Sequence, residues 1–137
     1  MLLENLKIKD RDEKLLDNKQ IYIVDDDKSV CRSLRLLMVS YGFAVETYTS
    51  AQDFFCAVPN SATGCLILDI HMSGLNGWGV MQKLADGGSK LPVIVISADK
   101  SESFKELALK AGAVGFLQKP FEDHYLLHMV NRVFNKT

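Results

Sequence analysis

At 137 residues with 47% hydrophobic side chains, the chain is the right length for one domain and can fill a core without metal or disulfide staples. Its 16 basic and 17 acidic residues leave a net charge of −1, which gives no general electrostatic ground for binding nucleic acid or a membrane surface. No apolar run approaches the roughly 20 residues of a membrane span, and the start (Met1-Leu2-Leu3-Glu4-Asn5-Leu6-Lys7) lacks the long apolar stretch of a signal peptide.

Residues 1–18 mix acids, bases and scattered leucines and read as an overhang, helical or mobile, outside a compact domain over residues 19–137. From Gln20 the pattern becomes regular. Ile21-Tyr22-Ile23-Val24 is a β-branched and aromatic run that stops at Asp25, Asp26 and Asp27. Val30, Leu34, Leu37, Met38 and Tyr41 recur at helical spacing, and Gly42 ends that helix. Ala44 to Tyr48 predicts a second strand, Ala51 to Ala57 a short helix, and Pro59 a loop. Cys65-Leu66-Ile67-Leu68 is a third apolar run, and it too stops at an aspartate, Asp69. A Gly-rich loop (Ser73-Gly74-Leu75-Asn76-Gly77) leads to a helix through Val80, Met81 and Leu84. Val93-Ile94-Val95-Ile96 ends at Ser97, and Phe104, Leu107, Ala108 and Ala111 share one face of the helix that follows. Val114 to Leu117 predicts the fifth strand, ending just before Lys119-Pro120, and Leu126, Met129, Val130 and Val133 mark the last amphipathic helix.

Strand and helix therefore alternate five times. The first, third, fourth and fifth runs are continuously apolar, the pattern of strands covered by helices on both faces. This predicts an α/β, doubly wound, five-stranded parallel sheet with five helices, in the flavodoxin-like order 2-1-3-4-5. Cys31, Cys56 and Cys65 are odd in number and lack C-x-x-C spacing. They predict three small buried hydrophobes in a reduced, cytoplasmic protein rather than a disulfide framework or zinc site.

Ligands of such sheets bind beyond the carboxyl ends of the strands. Immediately after the apolar runs stand Asp25, Asp26 and Asp27, then Asp69, Ser97 and Lys119. Two carboxylates about 4 Å apart repel by roughly 4 kcal/mol at an effective dielectric of 20, and a hard divalent cation relieves that strain. Few protein carboxylates, with room for water and a phosphate oxygen, suit Mg²⁺ better than an all-protein calcium cage. An anion between the metal and Lys119 would complete the set, and an aspartate at its centre can be the nucleophile that receives a phosphoryl group. Each of these residues taken singly is an ordinary loop polar group, and Asp27 reads first as the cap of the first helix. Their joint placement, each group at the end of a different strand, is what points to a site.

Across Gln20 to Phe134 the sequence resembles response-regulator receiver domains of two-component systems. The resemblance rests on Val24-Asp25-Asp26-Asp27, Leu68-Asp69-Ile70-His71-Met72, Ile96-Ser97-Ala98 and Phe116-Leu117-Gln118-Lys119-Pro120-Phe121. It implies that Asp69 is the phosphoacceptor, forming an acyl phosphate with a phosphoryl group from a histidine kinase or phosphotransfer protein. Asp25 and Asp26 would hold Mg²⁺, Asp26 directly and Asp25 at least partly through water, with Asp69 and the backbone carbonyl of His71 completing the protein's share. Ser97 would be the switch hydroxyl, Lys119 the phosphate-binding lysine and Phe116 the aromatic that changes rotamer on activation. Lys119-Pro120 is similar to a bond that is cis in this family, a form open in practice only to proline. His71 and Asp99, two residues after the phosphoacceptor and the switch hydroxyl, would tune the lifetime of the phosphorylated state. A homodimer through the fourth helix, fifth strand and fifth helix is expected, with no nucleic acid or membrane bound by this domain itself. The stretch from Gly112 to Asp123 is most similar to receivers that precede a helix-turn-helix domain in transcriptional regulators. Two positions depart from the pattern: Ser73 stands where the family commonly has proline, and Asn76 where it commonly has an acid.

Two other classes compete. Asp25-Asp26-Asp27-Lys28-Ser29 fits a loose D-x-D-x-S/T nucleophile motif of haloacid-dehalogenase-type phosphatases, but that reading leaves Asp69 without a role. A receiver-like module that is not phosphorylated usually lacks one of the acidic or lysine positions, and here all are present.

Overall fold

The structure is a computed structural model that describes residues 19–72, 76–99 and 102–135. The proposed overhang over 1–18, the departure at Ser73 and the chain's last two residues lie outside them. Five strands, β1 (Gln20–Val24), β2 (Ala44–Tyr48), β3 (Cys65–Asp69), β4 (Val93–Ser97) and β5 (Gly115–Gln118), form one sheet in the order β2-β1-β3-β4-β5. All four pairings are parallel, as the alternation with helices requires. The helices are α1 (Lys28–Ser40), α2 (Ala51–Ala57), α3 (Gly77–Asp86), α4 (Glu102–Lys110) and α5 (Asp123–Phe134).

Parallel strands need long crossovers, and the helices that supply them cover both faces of the sheet. Because side chains alternate across a strand, each apolar run feeds two cores at once. Tyr22, Val24, Leu66, Leu68, Val93 and Val95 pack against Phe54 of α2, Val80, Met81 and Leu84 of α3 and Ala108 of α4. Ile21, Ile23, Cys65, Ile67, Ile94, Ile96 and Leu117 face the other way, against Cys31, Leu34 and Met38 of α1 and Leu126 and Val130 of α5. Each fully buried aliphatic side chain contributes about 1.5–3 kcal/mol, so these two layers supply the main driving force for folding.

Several local expectations need correction. Cys31 and Cys65 are buried, but Cys56 is exposed, because its place on α2 turns it away from the sheet. Burial pushes the Cys65 thiol up to about 12, and Cys31, which also faces Asp25, up to about 11. Of the apolar face assigned to α4, only Ala108 is buried and Phe104 partly so; Leu107 points outward and Ala111 lies exposed beyond the helix end. The fifth strand begins at Gly115 rather than Val114, and Val114 is exposed since β5 is an edge strand with only β4 beside it.

Candidate functional site

The register of the sheet brings the four strand ends to one rim. Asp25 N–H donates to the Tyr48 carbonyl (3.1 Å), Ile70 N–H to Ile96 (3.1 Å) and Lys119 N–H to Ser97 (2.7 Å). The chain leaves β1, β3, β4 and β5 side by side, which brings Asp25, Asp26, Asp69, Ser97 and Lys119 to one rim. Asp25, Asp26 and Asp69 present carboxylate oxygens that all lie within 4.8 Å of one another. Among the described residues, Asp25, Asp69 and Ser97 are the buried polar side chains, at 2%, 7% and 0% exposure, whereas Asp26 is open to solvent.

Each group is held by its local backbone. Asp25 Oδ1 accepts the Asp27 N–H (2.9 Å), and its Oδ2 pairs with Lys119 Nζ at 3.3 Å. The Cys31 thiol, kept protonated by its burial, donates to the Asp25 carbonyl at 3.2 Å and so ties α1 to the end of β1. Asp27 caps α1, its carboxylate accepting from Ser29 (2.8 Å) and Val30 (3.4 Å), a role worth about 1 kcal/mol. Asp69 Oδ1 accepts the His71 N–H at 3.1 Å. Asn76 caps α3, its side-chain oxygen accepting from Gly79 N–H at 3.1 Å. Gly77 must be glycine, because a Cβ there would lie 2.6 Å from Ile70 Cα, and that close approach anchors the far end of the loop after Asp69. Lys119-Pro120 is cis.

The electrostatics follow from this crowding. Burial raises the Asp69 carboxyl above its usual range, and the charges of Asp25 and Asp26 push the same way; the His71 N–H and the Lys119 ammonium oppose them. Lys119 therefore acts on Asp69 electrostatically while its ion pair is with Asp25. A hard oxygen-donor cluster with one solvent-facing member fits a small divalent cation that retains water ligands.

The sequence offered His71 and Asp99 as groups that tune the lifetime of the phosphorylated state. The structure places His71 Nε2 3.1 Å from Ser97 Oγ, and the Asp99 backbone N–H donates to the same oxygen at 3.0 Å. Adjacency of β3 and β4 was the available signal, since it brings the residues following Asp69 alongside the end of β4. Phe116 is half-buried on β5 against the core shared with α2, α3 and α4.

Residues 21–131 match the family profile described as the response regulator receiver domain. "Response regulator protein TodT" of Pseudomonas putida is 43% identical over 107 residues, which cover 78% of this chain and 47% of that protein. "Transcriptional regulatory protein FixJ" of Bradyrhizobium diazoefficiens is 36% identical over 110 residues, covering 80% of this chain and 54% of that protein. The chain thus spans about half the length of these curated relatives. The crystal structure of a response regulator receiver protein from Burkholderia phymatum superposes with a TM-score of 0.75 at 40% identity, covering 87% of this chain and 97% of that one.

Proposed function

The chain belongs to the response regulator receiver family, and from that premise we propose that it is switched by phosphorylation of Asp69 by a histidine kinase or phosphotransfer protein in the cytoplasm. The observation that carries this reading is the meeting of Asp25, Asp26, Asp69, Ser97 and Lys119 at one rim, with the three carboxylates within 4.8 Å. An Asp69 carboxylate oxygen attacks the phosphorus of a phosphohistidine, the P–N bond breaks, and an acyl phosphate forms on Asp69. The His71 N–H holds Asp69 Oδ1 and so sets the direction of that attack. Lys119 is the nearby cation that a phosphoryl oxygen would draw from Asp25. Asp25, Asp26, Asp69 and the His71 carbonyl would hold Mg²⁺, whose charge offsets the carboxylate repulsion. The chemistry ends there: this is a signalling domain whose reactions are phosphotransfer onto its own Asp69 and loss of that group to water.

The test is intact-protein mass spectrometry after treatment with acetyl phosphate and Mg²⁺, followed by mapping of the modified residue. One phosphoryl group on Asp69, absent when Mg²⁺ is chelated before the donor is added, is the expected result. Modification at Asp25 or Asp27 would instead support phosphatase-type chemistry.

Activation needs a two-state element, and Ser97 with Phe116 is the one this reading uses. Inverting a 1:99 population requires about 5.5 kcal/mol of differential affinity, and charge-assisted bonds from Ser97 and Lys119 to the phosphoryl group would supply much of it. The output surface would be α4, β5 and α5. Leu107, Leu109, Val114 and Tyr125 are exposed there and offer apolar contacts to a partner. Phosphorylation is expected to produce dimers on this surface, read as a doubled mass in sedimentation of the phosphorylated chain. A fully phosphorylated chain that sediments as a monomer across the concentration series would rule the dimer out. His71 and Asp99 stand beside the hydroxyl that would face the phosphoryl group, the placement expected of residues that set how fast water reaches it.

A further inference from the structure

Ser97 Oγ is fully buried and already has two partners, the Asp99 N–H at 3.0 Å and His71 Nε2 at 3.1 Å. His71 is joined to the same centre a second time, through its own N–H on Asp69 Oδ1. The hydroxyl that would have to reach a phosphoryl group on Asp69 is therefore held by the side chain of the residue whose backbone holds Asp69. Two tautomers satisfy the geometry. With the proton on Nδ1, Ser97 donates to Nε2; with it on Nε2, the ring donates to Oγ. With the proton on Nδ1, the hydroxyl can donate to the phosphoryl group only by giving up the imidazole; with it on Nε2, the hydroxyl proton stays free, but Oγ can move towards the phosphoryl group only by leaving the ring.

The ring has a further neighbour. Its centroid lies 5.4 Å from that of Phe104 on α4, and Phe104 stacks on Trp78 of α3 at 6.0 Å. Releasing Ser97 thus frees a ring that packs against α4, the helix bearing the exposed Leu107 and Leu109.

We propose that His71 is a positioning residue that latches Ser97 in the unphosphorylated arrangement, so that the domain switches only when a phosphoryl group on Asp69 displaces the imidazole from the Ser97 hydroxyl. The inference rests on the reading of Asp69 and Ser97 above and adds to it a competitor for the switch hydroxyl. The latch sets the threshold of the switch: a binding-competent state that is fractionally populated weakens apparent affinity by that fraction, and loss of one hydrogen bond restores it. Its second effect is to couple the switch to α4 through Phe104, alongside the route through Phe116.

Beryllofluoride, which mimics a phosphoryl group on a carboxylate, tests this with Mg²⁺ saturating. Trp78 is the single tryptophan of the chain, so its fluorescence follows the titration. His71→Ala is expected to lower the midpoint about fivefold, the worth of one ordinary hydrogen bond. His71→Gln, whose amide reaches about as far as Nε2, is expected to recover most of the wild-type midpoint. In a Ser97→Ala background, His71→Ala is expected to change nothing. An unchanged midpoint in His71→Ala, a glutamine variant behaving like alanine, or the same shift without Ser97 would each overturn the latch. His71 is an exposed residue, so these variants are expected to fold, and thermal melts matching the parent chain check it. Failure of the wild type to bind beryllofluoride in an Asp69-dependent way would overturn the site reading first and the latch with it.

Discussion

Asp69→Asn is expected to accept no phosphoryl group and, at the same time, to melt higher than the parent chain at neutral pH without metal. Both effects come from the same carboxylate. Removing the nucleophilic oxygen leaves nothing to form the acyl phosphate, while the amide keeps an oxygen for the His71 N–H. The stability gain follows from what the charge costs. Asp69 is 7% exposed, its carboxyl is raised first by burial, and Asp25 and Asp26 add repulsion. A carboxyl raised in the folded state holds its proton more tightly there than in the unfolded chain. The fold is therefore favoured most below the unfolded value, and that advantage is lost as pH rises to the folded one. At neutral pH, far above the usual carboxylate range, the parent chain carries this penalty and the asparagine chain does not. Repulsion of roughly 4 kcal/mol between two close carboxylates is an upper bound, and Lys119 offsets part of it, so a gain of about 1–2 kcal/mol is expected. For a domain of this size that raises Tm by several degrees. Thermal melts at pH 7 and near pH 4 check it, and the difference between the two chains must shrink at the lower pH. An asparagine variant that melts lower at both would show that Asp69 is held by interactions stronger than the crowding.

Lys119→Met is expected to act in the opposite direction on stability and to slow phosphorylation rather than abolish it. Lys119 pairs with Asp25 across 94 positions of sequence, and Asp25 is buried at the end of β1. Breaking a buried pair from one side costs about 3–5 kcal/mol when the other charge has no recourse. Here the lysine side chain is 28% exposed and water reaches the site, so about 2 kcal/mol is the expected loss. Urea unfolding without metal measures it, and pairing the change with Asp25→Asn should recover most of the loss, because the stranded charge is then gone. Saturating Mg²⁺ should recover part of it in the single variant. Phosphorylation by acetyl phosphate should slow at least tenfold, since the cation that meets the developing phosphoryl charge is missing. A Lys119→Met chain that unfolds at the parent's urea midpoint would mean that Asp25 is carried by the Asp27 N–H and solvent alone.

The departures from expectation share one cause. Cys56, Leu107 and Val114 were assigned to the interior because each sits within an apolar pattern, and all three face outward. Hydrophobic spacing reports which residue types can be buried but not how wide a helix face the neighbouring elements cover. Helix α4 buries Ala108 and part of Phe104, so Leu107 falls outside the contact. The edge position of β5 leaves Val114 uncovered.

By itself the sequence determined the number, type and order of the elements, because periods of two and 3.6 and the turn glycines are local properties of the chain. It also determined the membership of the rim, because in a parallel sheet every strand points the same way and the residue after each apolar run must arrive at the same edge. Asp69, Asp25, Asp26, Ser97 and Lys119 were all legible on that ground. The partners within the rim were not. That Lys119 turns to Asp25, that the Cys31 thiol ties down the Asp25 carbonyl, and that His71 takes the Ser97 hydroxyl are choices among several groups within a few ångströms. Those choices depend on rotamers, burial and register summed over strands far apart in the chain, and only the tertiary structure decided them.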